Sequence, residues 1–143
     1  MSSDERHITG GKRKRYPRHV SRRSKLGSRG FACIALDHPT DNINVGHTLR
    51  ASMCFGAKLV IIIGANKSLN VQHLTTDPGK TYRHIPIINT NNIFDALPED
   101  CPLVAVEITE NAIPLPRFVH PERACYIFGP ENGSINSELL SLC

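Results

Sequence analysis

The chain has 143 residues, 40% apolar and 21% charged, a composition typical of one globular domain with a sizeable core. No apolar run approaches the roughly 18 residues that a membrane span needs, and the polar N-terminus does not resemble a secretory signal, so we expect a cytoplasmic protein without a membrane partner. The five cysteines lie at least 18 positions apart, which argues against a zinc or redox motif and predicts buried, reduced thiols and no metal site.

Positive charge is concentrated at the N-terminus. Residues 1–30 hold ten Lys or Arg residues and two acids, a net charge of +8, whereas residues 31–143 have a net charge of −4. This segment has few apolar side chains to offset the entropy of ordering, so we predict a basic arm that is disordered when free. Such arms usually bind a polyanion. The cations in question are Lys12, Arg13, Lys14, Arg15, Arg22 and Arg23.

Residues 31–143 have the pattern of an α/β domain with a mostly parallel sheet. Short apolar runs recur at intervals of about 20 to 30 residues, as βαβ units produce. The runs are continuous rather than alternating and rich in Ile and Val, which is typical of strands covered on both faces. Five strands are predicted, at Phe31–Leu36, Leu59–Ile63, Ile85–Ile88, Leu103–Ile108 and Ala124–Phe128.

Two helices are predicted next to the strands that matter most for function. The first follows the first strand, with a cap at Asn42 or Asn44 and a stop at Gly56, because apolar residues recur there at four-residue spacing. The second follows the last strand and begins near Ser134 or Asn136.

The start of the first helix carries a polar motif with the spacing N-x-G-x-x-x-R. It consists of Asn44, Gly46 and Arg50, and we expect Gly46 to leave the backbone open to a ligand. A guanidinium stays protonated, so Arg50 cannot readily act as a base, but it can hold a phosphate or stabilise a ribose alkoxide. A purely structural interpretation is also open, in which Asn44 caps the helix and Arg50 pairs with an acid on a solvated face.

A second motif, Gly129-Pro130-Glu131-Asn132-Gly133, directly follows the last predicted strand. Glycines at both ends permit close backbone approach, so the turn can present N–H and C=O groups to an adenine edge and to ribose hydroxyls. The structural alternative is an ordinary strand-to-helix turn in which Glu131 favours the next helix dipole. No G-x-G-x-x-G pattern is present, and the seven histidines do not cluster, so none is assigned to proton transfer or metal binding.

Both motifs, in their order and separation, resemble a known family. Residues 35–57 resemble the first signature of the SpoU-type RNA ribose methyltransferases of the SPOUT (α/β-knot) class, and residues 126–142 resemble the second. The resemblance implies a Rossmann-like sheet with a trefoil knot near its C-terminal end. It also implies S-adenosylmethionine as cofactor, a ribose 2′-hydroxyl of tRNA or rRNA as substrate, and a homodimer.

The resemblance also implies roles for individual residues. Arg50 would position or activate the target ribose-phosphate, with Asn44 in support and Glu131 near the same site. The basic arm would then meet RNA. The cofactor would be held by Gly129, Glu131, Gly133 and Ile108.

The third signature of the family, an S-x-N loop after a further strand, does not occur before the chain stops at Cys143. We therefore expect a C-terminally truncated domain with an incomplete knot, reduced stability and weak cofactor binding. One alternative function is a non-catalytic RNA-binding protein on the same scaffold. A second alternative, a doubly wound enzyme that uses another nucleotide, is disfavoured by the missing phosphate-loop patterns.

Overall fold

The computed structural model describes residues 30–143, so the predicted basic arm lies, apart from Gly30, outside the described residues. These residues form one five-stranded sheet in the order β3-β2-β1-β5-β4, and every pair of neighbouring strands is parallel. The elements are β1 (Phe31–Asp37), α1 (Asn42–Phe55), β2 (Leu59–Ile63), β3 (Ile87–Thr90), β4 (Leu103–Val106), β5 (Arg123–Phe128) and α2 (Ser137–Leu140).

The prediction of an α/β fold with a mostly parallel sheet is confirmed, and the largest shifts from the predicted strand bounds are at β3 and β4. β3 begins at Ile87, two residues later than predicted, because Ile85 donates its backbone N–H to Thr81 in a local turn and buries its side chain in the core. β4 ends at Val106 rather than Ile108, because the backbone N–H of Ile108 is bound by the side chain of Glu107. The apolar character of Ile85 therefore serves packing rather than strand pairing, whereas the side chain of Ile108 is exposed.

Helix α1 begins at Asn42, one residue before the earlier of the two predicted N-caps would have placed its start. Asp41 is its N-cap, since its carboxylate accepts a hydrogen bond from the backbone N–H of Ile43 at 2.7 Å. The expectation of a cap at Asn42 or Asn44 was therefore wrong, and the side chain of Asn44 is left available for other contacts. The predicted stop is confirmed: Gly56 has a left-handed φ of 79°, and its N–H returns to the carbonyl of Met53.

The two faces of the sheet pack against different parts of the chain. Successive strand residues point to opposite faces. Cys33 and Ala35 of β1 therefore belong to one core cluster, and Leu36 belongs to the other. The first face is covered by residues from the connections and from the segment after β5, including Ile93, Cys101 and Ile135. The second face is covered by α1 through Val45 and Leu49.

The cysteines divide between core and surface. Cys33, Cys101 and Cys125 are buried as expected, and the contact of Cys125 with Cys33, followed by desolvation, raises the pKa of the Cys125 thiol. Cys54 and Cys143 are exposed, so the expectation that all the thiols are buried was wrong for these two. All five are free thiols.

The strand order reverses between β1 and β5. From β1 the chain passes through α1 to β2 on one side, whereas β5 pairs with β1 on the other side, from Phe31–Arg123 to Leu36–Phe128. In open α/β sheets, ligands bind outside the carboxyl ends of the strands at such a reversal. Both sequence motifs follow these two strands. Within residues 30–143 no helix is long and apolar enough to cross a membrane.

Candidate functional site

The carboxylate of Glu131 joins the two motifs at the reversal of strand order. Its Oε2 accepts hydrogen bonds from the backbone N–H of Thr40 at 3.0 Å and from the Thr40 hydroxyl at 2.7 Å. Its Oε1 accepts from the backbone N–H of Asp41 at 3.3 Å and from Nδ2 of Asn44 at 3.4 Å. The turn after β5 is therefore bound directly to the loop between β1 and α1.

These contacts keep Glu131 ionised. Desolvation acts to raise the pKa of Glu131, but the hydrogen bonds from Thr40, backbone and side chain, and from Asn44 outweigh it and lower the pKa to about 2. An ionised carboxylate with both oxygens hydrogen-bonded is a poor proton acceptor. In this arrangement Glu131 holds the β1–α1 loop in place, close to the N-terminus of α1.

Arg50 lies on a different side of α1 from Asn44. Residues six positions apart differ by about 120° in direction around a helix, so these two side chains leave the helix on different faces. Arg50 is exposed, and within residues 30–143 it forms no ion pair. The structure therefore brings Asn44 and Glu131 together and leaves the Arg50 guanidinium facing solvent.

Gly46 has a packing role that differs from the one expected. A Cβ added at Gly46 would overlap the hydroxyl of Thr76 and lie 3.1 Å from its Cβ. The Thr76 hydroxyl donates a hydrogen bond to the carbonyl of Ile43 at 2.9 Å, which attaches the 71–79 segment to the first turn of α1. Gly46 therefore makes room for this connection.

The glycines of the second motif allow the chain to turn tightly after β5. A Cβ at Gly129 would lie 2.8 Å from the backbone nitrogen of Ile135, closer than packed atoms approach. A Cβ at Gly133 would lie 3.3 Å from the ring of Pro130. The turn is thus closed on itself.

Glu107 connects this turn to the end of β4. Its carboxylate accepts hydrogen bonds from the backbone N–H groups of Ile135 at 3.0 Å and Ile108 at 2.9 Å, and these bonds lower the pKa of Glu107. The side chain of Ile108 beside it is 98% exposed. The loops after β4 and β5 therefore form one continuous edge that carries an uncovered apolar side chain.

A groove of about 550 Å³ runs between α1 and the adjoining strands β1 and β5. Its floor and walls are mostly apolar, and Asn44, Gly129 and Glu131 line one part of it. The other lining residues are Ala32, Ile34, Leu36, Pro39, Val45, His47, Thr48, Ala51, Ser52, Phe55, Ala57, Tyr126 and Phe128.

Several residues of the site were not identified from the sequence. Thr40 and Glu107 were not singled out, since the contacts of Thr40 with Glu131 and of Glu107 with Ile135 join residues that lie far apart along the chain. Asp37 is buried at the end of β1, where its side chain contacts His38. Its position could have been noticed in the sequence, because an acidic residue at the end of a strongly apolar strand is unusual. Among residues 30–143 no group of three or more His, Cys, Asp or Glu side chains could hold a metal ion.

Solved structures of similar fold include RNA methyltransferases. An rRNA methyltransferase from Sinorhizobium meliloti is 20% identical with a TM-score of 0.67, over 81% of this chain and 46% of its own. The SpoU methyltransferase AviRb from Streptomyces viridochromogenes, in complex with the cofactor AdoMet, is 19% identical with a TM-score of 0.67. The match covers 80% of this chain and 49% of AviRb. An RNA 2′-O ribose methyltransferase is 16% identical with a TM-score of 0.64, and the match covers 89% of this chain and 49% of that enzyme.

The chain thus spans about half the length of these structural relatives. No curated protein sequence matches it significantly. The model of the SpoU rRNA Methylase family matches residues 32–143, which include both motifs and the whole sheet except the first residue of β1. The resemblance found in the sequence is therefore confirmed: the chain belongs to the SpoU rRNA methylase family.

Proposed function

We propose that the protein transfers a methyl group from S-adenosylmethionine to a ribose 2′-hydroxyl of tRNA or rRNA. The observation that carries this proposal is the set of hydrogen bonds from Thr40, Asp41 and Asn44 to Glu131, because it assembles both SpoU motifs at one edge of the sheet. The relatives add support, since AviRb binds AdoMet and another relative is an RNA 2′-O ribose methyltransferase.

The edge formed by the loops after β4 and β5 fits an adenosine-containing cofactor. Adenine has flat apolar faces and a polar rim. The exposed Ile108 side chain offers an apolar contact, and the turn from Gly129 to Gly133 offers backbone donors and acceptors. We propose that these residues hold the cofactor, whose sulfonium supplies the methyl group. Glu131 and Glu107 keep the two loops in place.

On the RNA side, we propose that Arg50 contacts the phosphate next to the target ribose. Its guanidinium is exposed and unpaired among residues 30–143, so its donors are available to a phosphate. The cations of the N-terminal segment would add sequence-independent affinity. We also propose that the protein forms a homodimer, which the exposed Phe55 at the end of α1 supports. A cytoplasmic location is part of the same proposal.

The test is methyl transfer from tritiated S-adenosylmethionine to purified tRNA and rRNA, followed by alkaline hydrolysis. A 2′-O-methyl group blocks cleavage of the adjacent phosphodiester, so ribose methylation leaves the label in alkali-stable dinucleotides, whereas base methylation leaves it in mononucleotides. We expect labelled dinucleotides from one of the two RNA classes. RNA binding without incorporation of label would contradict the proposal and indicate the non-catalytic RNA-binding alternative.

A further inference from the structure

Charge is unequally divided between the two halves of the sheet. Residues 64–94, which follow β2 and include β3, carry three Lys or Arg residues and one acid, a net charge of +2. Residues 95–143, which include β4 and β5, carry two arginines and eight acids, a net charge of −6. Because the strand order is β3-β2-β1-β5-β4, these two segments belong to opposite halves of the sheet. The β2–β3 half therefore attracts a polyanion and the β4–β5 half repels it.

The one acid of residues 64–94 is buried and holds a turn in place. Asp77 is 4% exposed, and its two carboxylate oxygens accept the backbone N–H and the hydroxyl of Thr81, each at 2.8 Å. The turn between them contains the exposed Lys80, whose φ of 51° is left-handed, a conformation that few residues other than glycine adopt. Backbone strain of this kind persists where the surrounding structure imposes it, and it is concentrated at functional sites.

This turn runs along the side of α1 that carries Arg50. Three residues of α1 share that side because they are spaced i, i+4 and i+7: Gly46, Arg50 and Met53. At one end of this side Gly46 packs against Thr76, and at the other end a Cβ added at Gly79 would lie 3.0 Å from Cε of Met53. Arg50 lies between these two contacts, so its side chain leaves the helix next to the turn.

Arg83 extends the same surface. It is exposed at the end of the helical turn Thr81–Arg83, which contacts α1, and its guanidinium carbon lies 5.6 Å from the centre of the Tyr82 ring. Among residues 30–143, Arg50, Lys80 and Arg83 form no ion pair. Their N–H donors are therefore available, and several neighbouring cations without an exposed acid between them suit a chain of phosphates.

We propose that the RNA substrate lies across the β2–β3 half of the protein, with its phosphates bound by Lys80 and Arg83 next to the phosphate bound by Arg50. This inference rests on the proposed function, which takes RNA as the substrate and Arg50 as a phosphate contact. The acids of residues 95–143 repel RNA and keep it off the other half of the sheet. Phosphate contacts position a nucleic acid without reading its bases, so this surface sets the path of the RNA rather than its sequence.

The test is filter binding of tRNA and rRNA to the 143-residue chain over a salt series, with Lys80→Gln/Arg83→Gln as the variant. Glutamine removes the charge, and no ion pair within residues 30–143 is lost. The slope of log affinity against log salt should fall by about 0.7 to 0.9 for each lost phosphate contact, and each loss should weaken binding about 5- to 8-fold at about 0.1 M salt. Lys80→Arg keeps the charge and should retain the parent slope.

Arg117→Gln is the matched control, since Arg117 is an exposed arginine in the connection between β4 and β5. It removes one positive charge from the other half of the sheet, and its salt slope should stay close to that of the parent. The unfolding midpoint of each variant shows that the fold is intact. A double variant that keeps the parent slope, or a control that loses as much slope per charge as the double variant, would overturn this inference.

Failure of the proposed function gives a different result, because the binding measurement does not depend on turnover. If the parent binds RNA through Lys80 and Arg83 but transfers no methyl group, the proposed reaction is contradicted and the RNA-binding surface is supported. If the parent transfers methyl groups to RNA while the double variant keeps its salt slope, only this inference is wrong. A parent that binds neither tRNA nor rRNA would overturn both.

Discussion

Thr40 and Glu131 lie 91 positions apart in the chain, yet the Glu131 carboxylate accepts both the backbone N–H and the hydroxyl of Thr40. This pair joins the loops that follow β1 and β5, the two strands at which the order of the sheet reverses. Thr40 therefore has as direct a part in assembling the site as the residues of the recognisable motifs.

Glu131→Gln should loosen this connection. Glutamine keeps the size of the side chain but loses the charge, and its amide nitrogen would face N–H donors in place of an accepting oxygen. We expect a loss of about 1 kcal/mol in the free energy of unfolding at pH 7, measured by urea denaturation. Glu122→Gln, which removes an exposed carboxylate elsewhere, should have almost no effect. Equal stability of the two variants would show that the Glu131 contacts make no net contribution to the free energy of unfolding.

The contribution of Glu131 should also depend on pH. Because its pKa is about 2 in the folded protein and 4.5 ordinarily, its stabilisation is complete above about pH 4.5 and is lost as the pH falls towards 2. The stability difference between the parent and Glu131→Gln should shrink over that interval. In a ¹³C NMR titration, Thr40→Val should raise the pKa of Glu131, since it removes the shortest of the four hydrogen bonds. An unchanged pKa would contradict this assignment.

Arg50→Ala should affect catalysis and leave the fold intact. The side chain is exposed and unpaired among residues 30–143, so its removal costs no internal contact. If it contacts the reacting ribose-phosphate, methyl transfer should fall by about 10²- to 10³-fold, with the unfolding midpoint unchanged. Arg117→Ala removes an exposed arginine from the 115–117 helical turn and serves as the control. Near-parental transfer by Arg50→Ala would make Arg50 an ordinary surface residue.

Gly46→Ala should destabilise the protein, although alanine is usually the better helix residue by about 1 kcal/mol. The new methyl group would overlap the hydroxyl of Thr76, and we expect a loss of about 1–3 kcal/mol. Combining it with Thr76→Ala should cost less than the sum of the two single changes, because the overlapping atom is gone. Additive losses in urea denaturation would show that the two residues are not coupled.

Deleting residues 1–30 should weaken binding to all structured RNAs by a similar factor. The deleted segment carries a net charge of +8, and each phosphate contact that is lost reduces the slope of log affinity against log salt by about 0.7 to 0.9. Filter binding over a salt series measures both quantities. An unchanged affinity and an unchanged slope would show that the N-terminal segment does not bind RNA.

The strand pattern could be predicted from the sequence because it depends on local composition. Continuous apolar runs such as Leu59–Ile63 are typical of strands that are buried on both faces of a covered parallel sheet, and all five residues of this run are buried. The same local reasoning places the end of α1 at Gly56, whose φ is positive, and the start of α2 near Ser134 or Asn136, of which Asn136 is the cap in the structure. Two motifs at the ends of two such strands were sufficient to indicate the SpoU family.

The contacts between these motifs were decided by the tertiary structure alone. Nothing in the sequence around Thr40 predicts its bonds to Glu131, and nothing around Asp37 predicts that Asn136 would be its second partner, 99 positions away. Such pairs depend on which strands become neighbours and on how the loops between them pack. Composition and periodicity are properties of short segments and therefore determined the elements. The bonds of a single carboxylate depend on the final geometry of several segments, which only the folded chain provides.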